Sequence, residues 1–406
     1  MTIPTPTVAP LTSNASLPVP IVSVEQGVAD ALMSRSAATF HRPELDVIRF
    51  LAFFLVFVHH VLPHQAEGFS KHFGSQVAAI LAAVANGLGF GLCLFFFLSA
   101  YLITELLLRE KTRTSGVELK RFYQRRIPRI WPLYFLGISI GIAIALVTRS
   151  TADFRQFLAY LGLVGNWYVA AHGWSDNPMT PLWSISIEEQ FYLLWPFVIK
   201  ATGTTGTWVC AALFGILGLI ETNRLASAGA QLDYEIWANT LVQFMMFSAG
   251  AVTAIALQGR APALGRIWRW PLAIVGLASW FVAAIHCNVK GIGAAPSGLS
   301  IPAGYALAAL GCVCIFLTFI GTRAKMPWTL VYLGRISFGL YVFHEPAIQI
   351  LHGATVALGY PLGYLSMSPL ALALTIVVAV ISFKYFETPF LRGKAKLAVI
   401  DTRPGN

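Results

Sequence analysis

The chain has 406 residues, 56% of them hydrophobic and only 11% charged. Soluble domains carry about a quarter charged residues, so a deficit this deep, gathered into long apolar runs, excludes an ordinary soluble enzyme and places most of the chain in lipid. The net charge of +10 does not point to nucleic acid: membrane proteins collect Lys and Arg in cytoplasmic loops, and no nucleic-acid-binding pattern accompanies it.

In chain order, residues 1–41 come first. They open MTIPTPTVAPLTSNASLPVP, rich in Pro, Ser and Thr, without the basic start and apolar centre of a signal peptide. This stretch reads as a disordered cytoplasmic tail. Apolar segments long enough to span a bilayer follow at 45–62, 87–108, 130–148, 182–199, 207–222, 236–257, 271–288, 301–320, 329–351 and 366–387. The expected fold is all-α, a polytopic transmembrane helical bundle of about ten spans over residues 42–394, with a cytoplasmic tail at 395–406. Cys93, Cys210, Cys287, Cys312 and Cys314 form no C-x-x-C pair. They read as small apolar residues rather than a disulfide framework, and no metal site is expected.

A further stretch, 157–171 (FLAYLGLVGNWYVAA), is short and interrupted by glycine. The positive-inside rule decides how to treat it. With ten spans and a cytoplasmic N-terminus, the inside connections hold eight Lys/Arg between Arg109 and Arg129. They also hold Arg260, Arg266, Arg269, Arg323, Lys325, Arg392, Lys394, Lys396 and Arg403. The outside loops hold only Lys71, Arg149, Arg155, Arg224 and Lys290. An eleventh span would invert everything after it, so 157–171 is expected to be re-entrant or interfacial and both termini cytoplasmic.

A charge at the centre of a span costs about 2.5–3.5 kcal/mol on insertion scales, so the charges that lipid should have excluded are functional candidates. In the first span Arg49 and His60 are eleven residues apart, which returns them to within about 20° of one another, about 16 Å apart along the axis. Asp46 falls near the same line, whereas His59 is turned about 100° from His60. The loop before the third span places Arg125, Arg126 and Arg129 beside Pro128 and Pro132. Guanidinium groups there suit phosphate oxygens; anchoring to anionic lipid is the alternative. PLWSISIEEQFYLLWP starts a helix at Pro181 and puts Glu188 and Glu189 in its first turns, with Ser184 and Tyr192 one turn either side of Glu188. Finally His344 and Glu345 interrupt an apolar span just before Pro346, which is expected to kink it.

Four stretches in this order, LDVIRFLAFFLVFVHH, FFFLSAYLIT with RRIPRIWPLYF, PLWSISIEEQFYLLWP and LGRISFGLYVFHEP, resemble the acyltransferase-3 family of integral-membrane acyltransferases of bacterial surface glycans. The terminal FETPFLRGK fits the same likeness, which covers about residues 42–394. The family's Arg/Lys-x10-His element falls on Arg49 and His60, its Arg-x-x-Arg element on Arg126 and Arg129, and its Trp-Ser-Leu-x-x-Glu element on Trp183, Ser184 and Glu188. Ala100 departs from the family, which commonly has glycine there. Some relatives carry an appended esterase-like domain, and a mechanism without one is expected here.

The resemblance implies an acyl-CoA donor, most simply acetyl-CoA, no permanently bound cofactor, and an extracytoplasmic carbohydrate acceptor, at a bacterial inner membrane. On this reading Arg126, Arg129 and Arg125 hold the donor phosphates and the acyl arm passes Arg49. His60 acts as general base on the acceptor hydroxyl, Glu188 orients it, and Trp183, Ser184 and His344 line the substrate site. Direct transfer and a covalent acyl-histidine both remain open. A transporter or flippase is the rival class, but the hydropathy shows no paired inverted halves and the arginine cluster is not at the midplane.

Overall fold

The computed structural model describes residues 1–2, 42–148, 154–359 and 363–392. The expected tails at 3–41 and 395–406 lie outside the described residues. Among the described residues there is no strand, only an isolated bridge between Gln231 and Ala294. Among the described residues seven helical stretches are long and apolar enough to cross a membrane. Each of the ten apolar segments falls on a helix. The helices beyond those seven stretches at the expected positions carry the polar residues singled out above: Asp46, Arg49 and His60; Glu188 and Glu189; His344 and Glu345.

Helix α1, Pro43–Val61, starts as its sequence dictates. Arg42 is extended, Pro43 occupies the first turn, and Glu44 and Asp46 meet the positive helix end while His59 and His60 fall in the last turn. A helix not expected from the sequence, α2 (Ser75–Gly87), packs Ala78, Ala82 and Ala85 against Phe69. Helix α3, Phe90–Thr114, buries Phe90, Phe96, Phe97 and Tyr101.

Helix α4, Leu119–Val147, begins about ten residues earlier than expected and runs through both Pro128 and Pro132. Its 29 residues span about 43 Å, more than a bilayer core of about 30 Å. The first turns, with Arg121, Arg125 and Arg126, are therefore helical rather than loop. The 157–171 stretch forms two eight-residue helices, Phe154–Leu161 and Gly165–His172, broken where Leu163 takes φ 58°. Neither, at about 12 Å, can cross alone.

Pro181 sits in a short 3-10 turn and helix α5, Trp183–Ala201, follows it. Helices α6 (Thr204–Ser227), α7 (Thr240–Leu257), α8 (Arg266–Ile285) and α9 (Ser300–Phe319) come next. The expected span 329–351 is two helices, α10 (Trp328–Arg335) and α11 (Ser337–Ala357). A break that the sequence did not mark falls at Ile336, and α11 continues through Pro346. Helix α12, Tyr364–Ser382, closes the bundle.

Helix α3 packs against α1, α5, α7 and α9, while α6, α8 and α12 turn Ile216, Ile220, Ile274, Leu277, Val377 and Ile381 outward, as helices facing lipid do. Helices in lipid associate through close packing at small residues, and two glycines carry that here. A Cβ on Gly334 would run into the Asp46 carbonyl, so α10 lies directly on the α1 backbone. One on Gly250 would strike the Phe97 carbonyl and come 3.0 Å from Ala100 Cβ. The close approach lost at Ala100 is restored by a glycine on the facing helix.

Candidate active site

Two cavities meet inside the bundle. The arginine cavity, about 80 Å³, is lined by Arg49 from α1, Ser99 from α3, Arg126 and Arg129 from α4, and Ser184 and Glu188 from α5. The histidine cavity, about 320 Å³, is lined by His59, His60 and His64, Trp174, Trp183, Trp237, Asp233, Lys290 and Glu345. Leu92 and Tyr341 line both. A separate cleft of about 1120 Å³, lined by Leu51, Leu55, Trp270 and Leu277 with Arg266 and Arg269, holds none of the residues grouped here.

Arg49 of the arginine cavity stands 3.7 Å from Asp46, which is 3.8 Å from Arg335 and so ties α1 to α10. The Arg126 guanidinium lies 4.8 Å from the centre of the Tyr192 ring. The carboxylate of Glu188 accepts hydrogen bonds from Ser99 (2.9 Å) and the Tyr192 hydroxyl (3.1 Å). Glu189 faces the other way and accepts from the Trp131 indole at 3.1 Å. Several other basic residues at this end are held by protein groups and line neither of these two cavities. Arg125 pairs with Glu110 at 2.8 Å and lines neither cavity, Arg109 pairs with Glu105 at 2.5 Å, and Arg269 donates to the Thr318 carbonyl at 2.7 Å. Lys111 donates to the carbonyls of Ile199 and Thr202 at the end of α5, where a cation also meets the helix dipole.

In the histidine cavity the rings of His59, His60, His64 and His344 form a chain. His60 stands 5.1 Å from His59 and 4.9 Å from His344, and His59 stands 4.4 Å from His64. A carbonyl can only accept, so three tautomers follow from the hydrogen bonds. His59 donates through Nδ1 to Ala85 (2.9 Å), His64 through Nε2 to His59 (2.8 Å), and His344 through Nδ1 to Tyr341 (2.5 Å). Burial holds the His64 imidazole below its ordinary pKa.

Three buried atoms, His60 Nδ1, His344 Nε2 and a Glu345 carboxylate oxygen, have no hydrogen-bond partner among the described residues. One donor atom from each of these residues lies within 4.8 Å of the others. Two imidazoles and a carboxylate are also a donor set that a divalent cation accepts.

The expected residues are thus divided between two places. Arg49, Arg126, Arg129, Ser184 and Glu188 line one cavity; His60 and Trp183 line the other. Glu188, expected to orient His60, instead belongs to the arginine cavity. His344 is fully buried behind His60, and Glu345 is the member of that pair that lines the cavity. His59, which the helical wheel turns away, lines the same cavity as His60, because the space is wide enough to take both faces of α1's last turn. Tyr341, Asp233 and Lys290 were not singled out from the sequence. Lys290 left a trace there: it is a cation in one of the loops that the positive-inside rule expects to hold few.

The acyltransferase-domain family profile matches residues 42–384, so the chain belongs to the acyltransferase-3 family. Among its relatives are the peptidoglycan O-acetyltransferase OatA of Listeria monocytogenes, 25% identical over 348 residues, and the O-acetyltransferase OatA of Staphylococcus aureus, 24% identical over 319. The alignments cover 78% and 74% of this chain but 54% and 52% of the relatives, so the chain spans about half the length of the curated relatives it matches. No solved structure matches it.

Proposed function

We propose that this protein is a membrane O-acyltransferase that moves an acyl group, most simply acetyl, from cytoplasmic acyl-CoA to a hydroxyl of an extracytoplasmic glycan or glycoside. The observation that carries this reading is the pair of cavities sharing Leu92 and Tyr341. One is lined by Arg49, Arg126 and Arg129, near the basic end of the bundle. The other is lined by His60, near the opposite end of α1. On this reading ten helices cross a bacterial inner membrane, both termini are cytoplasmic, and the arginine cavity opens inward.

Arg126 and Arg129 then receive the phosphates of coenzyme A, as planar guanidinium forks do, while Arg125 is occupied by Glu110. The thioester arm passes Arg49 and Ser184 to the wall between the cavities. The acceptor hydroxyl reaches the same point from the histidine cavity. On this reading His60 carries its proton on Nδ1, which like His344 Nε2 and a Glu345 oxygen has no partner among the described residues, and presents Nε2 as the basic nitrogen. This is the logic by which a carboxylate orients a catalytic imidazole. His60 Nε2 takes the hydroxyl proton as the oxygen attacks the thioester carbonyl. The new C–O bond replaces the C–S bond, and the leaving thiolate takes the proton to depart as coenzyme A. Glu345, not Glu188, is the orienting carboxylate. No resident metal or cofactor takes part.

The test is incubation of purified protein with labelled acetyl-CoA and surface glycan fractions, alongside mass spectrometry of glycans from a deletion strain and its parent. Loss of one acyl mass from a single glycan in the deletion strain is expected. A transporter or flippase would leave acyl-CoA unconsumed, which would overturn the reading.

A further inference from the structure

Lys290 lies in the connection between α8 and α9, outside the helices, and lines the histidine cavity. Its ammonium stands 4.4 Å from the centre of the Trp237 ring and 5.9 Å from that of Trp174. Among the described residues it has no hydrogen bond and no ion pair. Asp233 lines the same cavity but lies beyond ion-pair reach. The space for the lysine arm depends on Gly89, where a Cβ would come 3.2 Å from Lys290 Cε and 3.6 Å from His59 Nε2. This half-buried ammonium feels the Asp233 carboxylate only at a distance, so an anion brought into the cavity would give it a direct partner. Burial brings this ammonium down to about 8.

We infer that the acceptor is an acidic saccharide: its anionic group, a carboxylate or a phosphate, pairs with Lys290 while Trp174 and Trp237 face the sugar ring. The inference rests on the acyl-transfer reading for the meaning of the cavity, and it adds the chemistry that selects the acceptor. Aromatic faces give area with little orientation, whereas a single cation lining the cavity gives orientation and discrimination. A neutral sugar would leave Lys290 unpaired in the filled cavity. A charge-assisted hydrogen bond to an anion removes that penalty.

The test is binding, read by tryptophan fluorescence on the full chain in nanodiscs, so it needs no turnover. Three probes are compared: a disaccharide of N-acetylglucosamine and glucuronic acid, the methyl ester of that disaccharide, and N-acetylglucosamine 6-phosphate. At least one anionic probe is expected to bind about tenfold more tightly than the ester, and the probe preferred identifies the anion. Lys290→Gln should bring the anionic probes to the affinity of the ester, and Lys290→Arg should keep the difference. Equal affinity for acids and ester in the unaltered protein would overturn the inference, as would a preference that survives in folded Lys290→Gln. If Lys290→Gln does not fold, the comparison on the unaltered protein decides alone. Acyl transfer to neutral glycans without any charge preference would sink this inference and leave the enzyme reading standing. A charge preference without transfer to any saccharide would overturn the enzyme reading and the acceptor assignment with it, leaving only an anion-selective saccharide site at Lys290.

Discussion

The hydroxyl of Tyr341 stands 2.7 Å from Ser184 Oγ, and both groups reach the Pro181 carbonyl at 3.0 Å. This cluster lies on the wall between the two cavities. It joins α11 to the start of α5, so the Trp-Ser pair of one motif is tied to the tyrosine of another. Tyr341→Phe removes the hydroxyl and costs about 1 kcal/mol of stability. In the acyl-transfer reading it also loosens the barrier that keeps water from the thioester. The ratio of donor hydrolysis to transfer, measured by thiol release with and without acceptor, should rise.

His60 and His59 share a cavity but differ in what holds them. His60→Ala should lower turnover by about 10²–10⁴-fold, the range for loss of a general base, with the protein still monodisperse on size exclusion. His59→Ala removes the donor to the Ala85 carbonyl and should cost about 1–3 kcal/mol of stability, while turnover stays within a few fold. Equal losses of turnover would reject the division of labour.

Glu345 and Glu188 lie in different cavities, so their amide variants should fail differently. Glu345→Gln should lower kcat by about a hundredfold, comparable to other losses in acid–base machinery, with the KM for acyl-CoA unchanged. Glu188→Gln leaves the base intact but disturbs the Ser99 and Tyr192 hydrogen bonds beside Arg126, and should raise the KM for the donor. Steady-state kinetics with each substrate varied in turn separates the two.

The His60, His344 and Glu345 cluster has a metal-like donor set, yet the proposed chemistry uses its nitrogen and oxygen atoms for proton placement. Dialysis against EDTA should leave transfer unchanged, and elemental analysis should find less than one zinc per chain. Loss of activity on chelation, restored by zinc, would replace the general-base account.

Gly334 touches the α1 backbone where Asp46 joins Arg49 and Arg335. Gly334→Ala should lower stability by about 1–3 kcal/mol, the usual cost of overpacking, seen as a lower thermal midpoint in detergent. Because Arg49 lines the arginine cavity, donor affinity should fall with it.

The sequence alone determined the membrane class, the positions of the ten apolar segments and the stripe that joins Arg49 to His60. These follow from composition and from the 3.6-residue period of one helix, which are local properties. It also marked Glu188 over Glu189 through their spacing to Ser184 and Tyr192. What lay beyond it was every relation between helices. The sequence marked Pro346 as a kink but not the break at Ile336, where the expected span 329–351 divides into two helices. Glu188 was expected to orient His60, but it lines the cavity with the arginines, and Glu345 lines the one with the histidines. Hydropathy and spacing fix which side of its own helix a residue occupies. Only the tertiary structure decides which other helix stands opposite, and that choice placed the wall of Leu92 and Tyr341 between the two ends of the stripe.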